Sequence, residues 1–139
     1  MSEVVRIKEI VDESYDTKTF VFDWSEKVRP GQFVMVWIPG IDEIPMSVSC
    51  TDDESKSITV KAIGEATRAI HSLSVGDALR IRGPYGNGFD LDCGEMLIIG
   101  GGVGTAAIMP AVTATGADTI IAARSDRDGI MKDVAEDSS

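Results

Sequence analysis

The fold class predicted by this sequence is a small antiparallel β-barrel followed by a partial α/β unit of the nucleotide-binding kind, and three observations carry it. Short runs of alternating apolar and polar residues recur over residues 1–90, with turn residues between them. From Glu95 the order becomes strand, glycine turn, helix, strand, which builds a parallel sheet. Between the two lies GPYGNGF (residues 83–89), too glycine-dense for a strand and expected to form a structured turn.

Each element has its own signal. Thr19–Trp24 alternates, with Phe20, Phe22 and Trp24 on one face and Thr19, Val21 and Asp23 on the other. Arg29-Pro30-Gly31 is a turn, and Phe33–Ile38 is an apolar run that stops at Pro39-Gly40. Met46, Val48 and Cys50 alternate with Ser47 and Ser49, Ile58–Ile63 alternates in turn, and Leu79 and Ile81 alternate with Arg80 and Arg82. Five or six strands at this spacing suit a closed barrel. One helix interrupts them over residues 67–74, with Ala66, Ile70 and Leu73 at helical spacing and Gly76-Asp77 as its stop.

The remainder reads as one βαβ unit with a trailing helix. Met96–Ile99 is a short strand, GGGVG (100–104) turns, and Ile108–Thr115 forms a helix with Pro110 in its first turn. Gly116 ends that helix and Thr119–Ala123 is the second strand. Ser125 and Asp128 form a capping box for a last helix through Ile130, Met131 and Val134. The boundary falls near Asp92–Gly94, giving residues 1–93 to the barrel and 94–139 to the partial α/β domain. Two parallel strands cannot bury both of their faces, so the unit reads as incomplete: either a fragment or truncated product, or a sheet completed by a partner.

Composition removes several function classes. With 139 residues and 43% hydrophobic content the chain can bury a core, which sets disorder aside. A net charge of −10 repels phosphate backbones and anionic membranes, and the scattered Lys and Arg form no basic stripe along the chain. No apolar run approaches the roughly 20 residues of a spanning helix. The start, MSEVVRIKEI, lacks a signal-peptide core, so a cytoplasmic location is expected. Cys50 and Cys93 have no CxxC spacing and are expected as free buried thiols, too few to hold an iron–sulfur cluster.

Four segments can carry chemistry. Gly64-Glu65-Ala66-Thr67 opens a helix, where N–H groups suit a pyrophosphate and the Thr67 hydroxyl can donate to an oxygen; an ordinary helix cap is the plainer alternative. Ile44-Pro45-Met46-Ser47 opens a strand that offers main-chain groups and apolar side chains to a flat ring such as a flavin, or is simply a strand start. GPYGNGF is either a generic connection or a loop closing over a cofactor. Gly100–Gly104 sits between strand and helix, the context a dinucleotide turn needs, though Arg124 and Ser125 stand where the ribose-binding carboxylate is usually found. His71 has no evident partner, Asp52-Asp53-Glu54 reads as a solvated hairpin loop, and Arg6, Arg29 and Arg68 read as structural. No catalytic side-chain set stands out, so any redox chemistry falls to a cofactor.

In this order the segments resemble the ferredoxin–NADP reductase superfamily, and within it most closely the electron-transfer subunits of dihydroorotate dehydrogenase B. The resemblance runs through RPGQFVMVWIPG (29–40), IPMSVS (44–49), GEATRAIHSLSVGDALRIRGPYGNGF (64–89) and LIIGGGVG (97–104). It implies a flavin-binding barrel, with Ile44, Pro45, Met46 and Ser47 in the flavin motif, usually Arg-Pro-x-Ser. It also implies FAD contacts from the backbone of Thr59, Val60 and Lys61, and pyrophosphate contacts from Gly64, Ala66 and Thr67. Gly101, Gly102 and Gly104 would face NAD. The implied role is electron transfer in pyrimidine (UMP) biosynthesis, from the FMN of a dihydroorotate dehydrogenase catalytic subunit, through a [2Fe–2S] cluster and FAD, to NAD. Ile44 stands where the motif arginine would be, Ala66 replaces a glycine, and the family's cysteine cluster motif is not in this sequence. Another NAD(P)H-linked flavin reductase or electron-transfer subunit, and a cofactor-free binding module, are the alternatives.

Overall fold

A computed structural model describes residues 2–125, 129–131 and 136. Six antiparallel strands close into a barrel: β1 (Ser2–Asp12), β2 (Thr17–Asp23), β3 (Phe33–Ile38), β4 (Asp42–Thr51), β5 (Ser55–Lys61) and β6 (Ala78–Tyr85). Their order around the barrel is β1-β2-β5-β4-β3-β6. Alternation drives closure, since every second residue must leave water. Phe20, Phe22, Val34, Val36, Ile58 and Val60 are fully buried, and Trp24 joins them as its alternation predicts. Helix α1 (Glu65–His71) plugs the barrel with Ile70.

A two-stranded parallel sheet follows, β7 (Leu97–Gly101) beside β8 (Asp118–Ala122), crossed over by α2 (Gly104–Thr115). Ile98, Met109, Ala111 and Val112 form its small core. The other sheet face leaves Leu97, Ile99 and Ile120 at 56%, 64% and 51% exposure. Gly116 takes the left-handed conformation (φ 65°) and its N–H bonds the Val112 carbonyl at 2.8 Å, stopping α2. No helix among the described residues is long and apolar enough to cross a membrane.

Several local expectations are corrected. Helix α1 begins at Glu65 and ends at His71, so Gly76-Asp77 lies beyond its end. The strand expected over Ile58–Ile63 ends at Lys61, leaving Ile63 70% exposed. Strand β6 runs through Gly83, Pro84 and Tyr85, so the structured turn starts only at Gly86. Helix α2 starts at Gly104, which puts Pro110 in its interior instead of its first turn. In β4 the alternation breaks at a register shift between Val48 and Cys50, and Ser49 is buried. Both cysteines are free, but Cys50 is only half-buried and Cys93 is exposed. The last helix, from Ser125 and Asp128 to Val134, falls largely on residues outside those described.

Candidate functional site: an open seam between two strands

The barrel is zipped unevenly. Strand β5 pairs along its whole length with β2, from Thr17↔Lys61 to Asp23↔Ser55. Strand β4 pairs with β3 from Phe33↔Ser47 to Ile38↔Asp42. Between β4 and β5 the pairing covers only Val48↔Ile58, Cys50↔Ser57 and Thr51↔Lys56. Beyond Val48 the strands part, so Ile44–Ser47 and Thr59–Lys61 each turn one strand edge toward the seam. Edge N–H and C=O groups need partners, and a ligand with a polar rim can supply them. Two of the segments singled out in the sequence thus line opposite sides of one opening.

Side chains around the seam are sorted by pleat. Ile44 and Met46 are half-buried and pack on the barrel core, while Pro45 and Ser47 are exposed on the outer face. Ser47 is directly opposite Phe33, and Phe33 opposite Tyr85, whose ring centroid lies 5.8 Å from that of Phe33. One outer row therefore joins a hydroxyl to two aromatic rings, tilted 45° to each other. On the other bank, Thr59 and Val60 are buried and Lys61 is half-buried. Lys61 Nζ lies 3.9 Å from an Asp16 carboxylate oxygen. His71 Nε2 sits 2.6 Å from the Val60 carbonyl oxygen, so the lone histidine is tied to this strand.

The turn after β5 holds itself together. Thr67 Oγ1 accepts from the N–H groups of Ile63 (2.9 Å) and Gly64 (3.0 Å) and donates to the Gly64 carbonyl (3.2 Å). The hydroxyl that was expected to meet a pyrophosphate oxygen is occupied in shaping the turn. Gly64 is half-exposed and a Cβ there would meet nothing within 4 Å, so its backbone is approachable. Ala66 is half-buried against the core.

GPYGNGF does not hang free over the seam. The Phe89 N–H donates to the Pro30 carbonyl at 2.8 Å and the Gln32 side-chain amide to the Gly86 carbonyl at 2.8 Å. A Cβ on Gly31 (φ 95°) would stand 2.8 Å from the Phe89 nitrogen, so glycine is required there. The two turns lock onto each other, which favours a structural connection over a mobile lid.

Across the chain, Gly101, Gly102 and Gly104 are exposed, and a Cβ on any of them would meet nothing within 4 Å. Gly100 differs: a Cβ there would lie 2.9 Å from Thr105 Oγ1, so this glycine lets α2 pack on β7. Thr105 Oγ1 is buried without a hydrogen-bond partner among the described residues. Helix α2 also packs on the barrel at β4, where Met109, Pro110 and Thr113 meet Ser49, Cys50 and Thr51 around a cleft of about 220 Å³. Burial pushes the Cys50 thiol up, which keeps it protonated and unreactive. Among the described residues no group of three or more His, Cys, Asp or Glu could hold a metal ion.

Two features escaped the sequence. Lys56 is 1% exposed, and its ammonium donates to the carbonyls of Trp24 (3.1 Å), Asp53 (2.6 Å) and Asp52, tying down the acidic hairpin expected to be merely solvated. It shares pleat parity with Ile58 and Val60, and that signal was present. A buried hydroxyl chain also links Glu13 to Thr19 (2.5 Å), Thr19 to Thr59 (2.7 Å), Thr59 to Ser49 (2.9 Å) and Ser49 to Ser57 (2.7 Å). It spans three strands, so no single stretch of sequence could disclose it.

No family model matches the chain. The probable dihydroorotate dehydrogenase B (NAD(+)) electron transfer subunit of Thermoplasma volcanium is 46% identical over 129 residues, covering 93% of this chain and 51% of that protein. Its counterpart in Methanothermobacter thermautotrophicus is 49% identical over 131 residues, covering 88% and 49%. The chain is a homologue of dihydroorotate dehydrogenase B electron transfer subunits. It spans about half the length of these curated relatives. A solved NADH-dependent reduced ferredoxin-NADP oxidoreductase superposes with a TM-score of 0.82 at 26% identity, over 97% of this chain and 56% of that one. Phthalate dioxygenase reductase, at 17% identity and a TM-score of 0.80 over 99% of this chain and 48% of that one, shares the fold. So does a flavohemoglobin of Malassezia yamatoensis with bound FAD and heme, at 16% identity and 0.79 over 99% and 42%. The closed six-stranded barrel is thus shared with solved reductases, the NADH-dependent reduced ferredoxin-NADP oxidoreductase among them.

Proposed function

We propose that the seam holds the isoalloxazine and phosphates of FAD and that the chain is an electron-transfer component acting with dihydroorotate dehydrogenase in pyrimidine biosynthesis. The observation that carries this reading is the parting of β4 from β5 beyond Val48↔Ile58, which leaves the facing edges of the two strands without each other as partners. Main-chain groups of Ile44, Pro45, Met46 and Ser47 on one bank, and of Thr59, Val60 and Lys61 on the other, would bind the polar rim of the ring. The Phe33–Tyr85 row beside Ser47 would support its flat face. Gly64, Ala66 and Thr67 would set the turn against which the pyrophosphate lies. Gly101, Gly102 and Gly104 would approach NAD without side-chain obstruction.

Bound FAD supplies the change between one- and two-electron transfer; the chain's own work is to bind it, orient it and shield one face from water. The electron donor in this reading is an FMN-containing dihydroorotate dehydrogenase catalytic subunit, held in a cytoplasmic hetero-oligomer. Residues 1–93 would be the FAD-binding domain and 94–139 part of an NAD-binding domain. The [2Fe–2S] cluster of the resemblance has no ligand group among the described residues.

Ile44 favours one second reading. Without the motif arginine a phosphate loses a charged partner, which suits a barrel retained as a cofactor-free binding module. Equilibrium dialysis against FAD separates the two. Saturable one-to-one uptake supports the redox reading, and reduction of the bound flavin by dihydroorotate only when the FMN subunit is added supports the named partner. Absence of saturable uptake overturns the redox reading in favour of the module.

A further inference from the structure

The arginines that look scattered in sequence are gathered by the barrel. Register puts Val4 opposite Arg80, Arg80 opposite Trp37 and Trp37 opposite Glu43, a single outward row across β1, β6, β3 and β4. The neighbouring row runs Ser2, Arg82, Met35 and Pro45. Trp37 is 44% exposed and Val4 54% exposed, large apolar groups on a surface where water should favour polar ones. The Arg80 guanidinium lies 5.4 Å from the centre of the Trp37 ring. Arg82 is braced by Glu43 (2.8 and 2.6 Å) and by the Tyr85 hydroxyl (3.0 Å). Arg6, at the next outward position of β1, is anchored to the Gly76 carbonyl at 3.2 Å.

We infer that this outer face of β1, β6 and β3 docks a protein partner that presents carboxylates around an apolar centre. Three arginines face one carboxylate here, while the chain as a whole carries a net charge of −10. That local reversal of sign steers an acidic partner toward this face and disfavours a second copy of the same acidic chain. Tryptophan, tyrosine and arginine, already held in place before binding, are the residues that dominate interface energies. The Trp37–Arg80–Val4 row lies on strands paired side by side with no seam between them, so a protein surface is the fitting occupant. The face is also continuous with the proposed flavin site: Trp37 is four residues along β3 from Phe33, roughly 13 Å at strand rise. A partner seated there has its surface next to the flavin. The identity of that partner as the FMN-containing subunit rests on the proposed function.

The test measures affinity between the chain and the FMN-containing, dihydroorotate-oxidising subunit of the same organism, with bound FAD recorded for each variant. Trp37→Ala and Arg80→Glu should each weaken the complex by about tenfold or more, with FAD uptake unchanged. Lys27→Glu makes the same charge change at an exposed loop position and should shift affinity by less than about twofold. Wild-type complex formation that Trp37→Ala and Arg80→Glu leave intact overturns the docking face and spares the functional reading. A wild-type chain that takes up FAD yet forms no complex overturns the partner assignment and the docking face together. Loss of the complex with all three variants alike reduces the effect to net charge and overturns the inference.

Discussion

The barrel and the α/β unit solve the same burial problem with unequal means. In the barrel every strand has two neighbours over at least part of its length, and the pleat hides one side chain in two. Its core is continuous from Val5 to Ile81. The α/β unit has two strands and one described helix, and its second sheet face stays open at Leu97, Ile99 and Ile120. Polar satisfaction follows the same division. The barrel buries Lys56, Ser49, Ser57, Thr19 and Thr59 with partners for each, whereas the α/β unit leaves the Thr105 hydroxyl unpaired among the described residues. Closure gives the barrel its own stability; the α/β unit leans on β4 through α2.

The largest test of that contrast truncates one core residue in each region. Phe22→Ala should cost about 3–5 kcal/mol and bring the barrel's unfolding midpoint down accordingly, followed by urea denaturation and circular dichroism. Ile98→Ala should cost no more than about 2 kcal/mol and leave the barrel transition in place, because its core is small and separate from that of the barrel. Equal costs would break the comparison.

A second pair addresses the buried polar groups. Lys56→Met removes the donor from three loop carbonyls and should destabilise by about 2 kcal/mol in the same assay. Thr105→Val keeps the shape and removes an unpaired hydroxyl, so its midpoint should stay within about 0.5 kcal/mol of wild type or rise. A Thr105→Val loss as large as that of Lys56→Met would mean the hydroxyl has a partner that matters.

The smallest effect concerns pH. Hydrogen bonds from Arg82 hold the Glu43 carboxyl below its ordinary value of 4.5. A carboxyl depressed by folding contributes stability above its unfolded range and loses it as pH falls through the folded value. The stability difference between wild type and Glu43→Gln should therefore be present at neutral pH and fade below about pH 4.5. It should be small and shrink with salt, because the pair is exposed. A difference that grows in acid would contradict the assignment.

The sequence disclosed what depends on period and not what depends on register. Phe20, Phe22 and Trp24 announced an inward face by alternation alone, and all three are buried. Gly116 announced the end of α2 because only a left-handed residue fits there. Helix starts were misplaced by a few residues, as for α1 and α2, since the glycines before them suit a turn and a first helical residue equally well. The seam itself could not be read. Ile44–Ser47 and Thr59–Lys61 were recognisable as separate segments, but their parting is a property of strand pairing, fixed by the register shift after Val48. The Arg80–Trp37–Val4 row is hidden for the same reason, its members lying on three strands far apart in the chain.

The seam is the claim on which the functional account stands, and amide hydrogen exchange with and without FAD tests it most directly. The account predicts that saturating FAD slows exchange at the seam-facing amides of Ser47, Thr59 and Lys61, while Ile44 and Met46, bonded to β3, Val60, bonded to β2, and Leu97–Ile99 on β7 stay unchanged. FAD uptake with no protection on either bank would contradict it and put the flavin elsewhere on the chain.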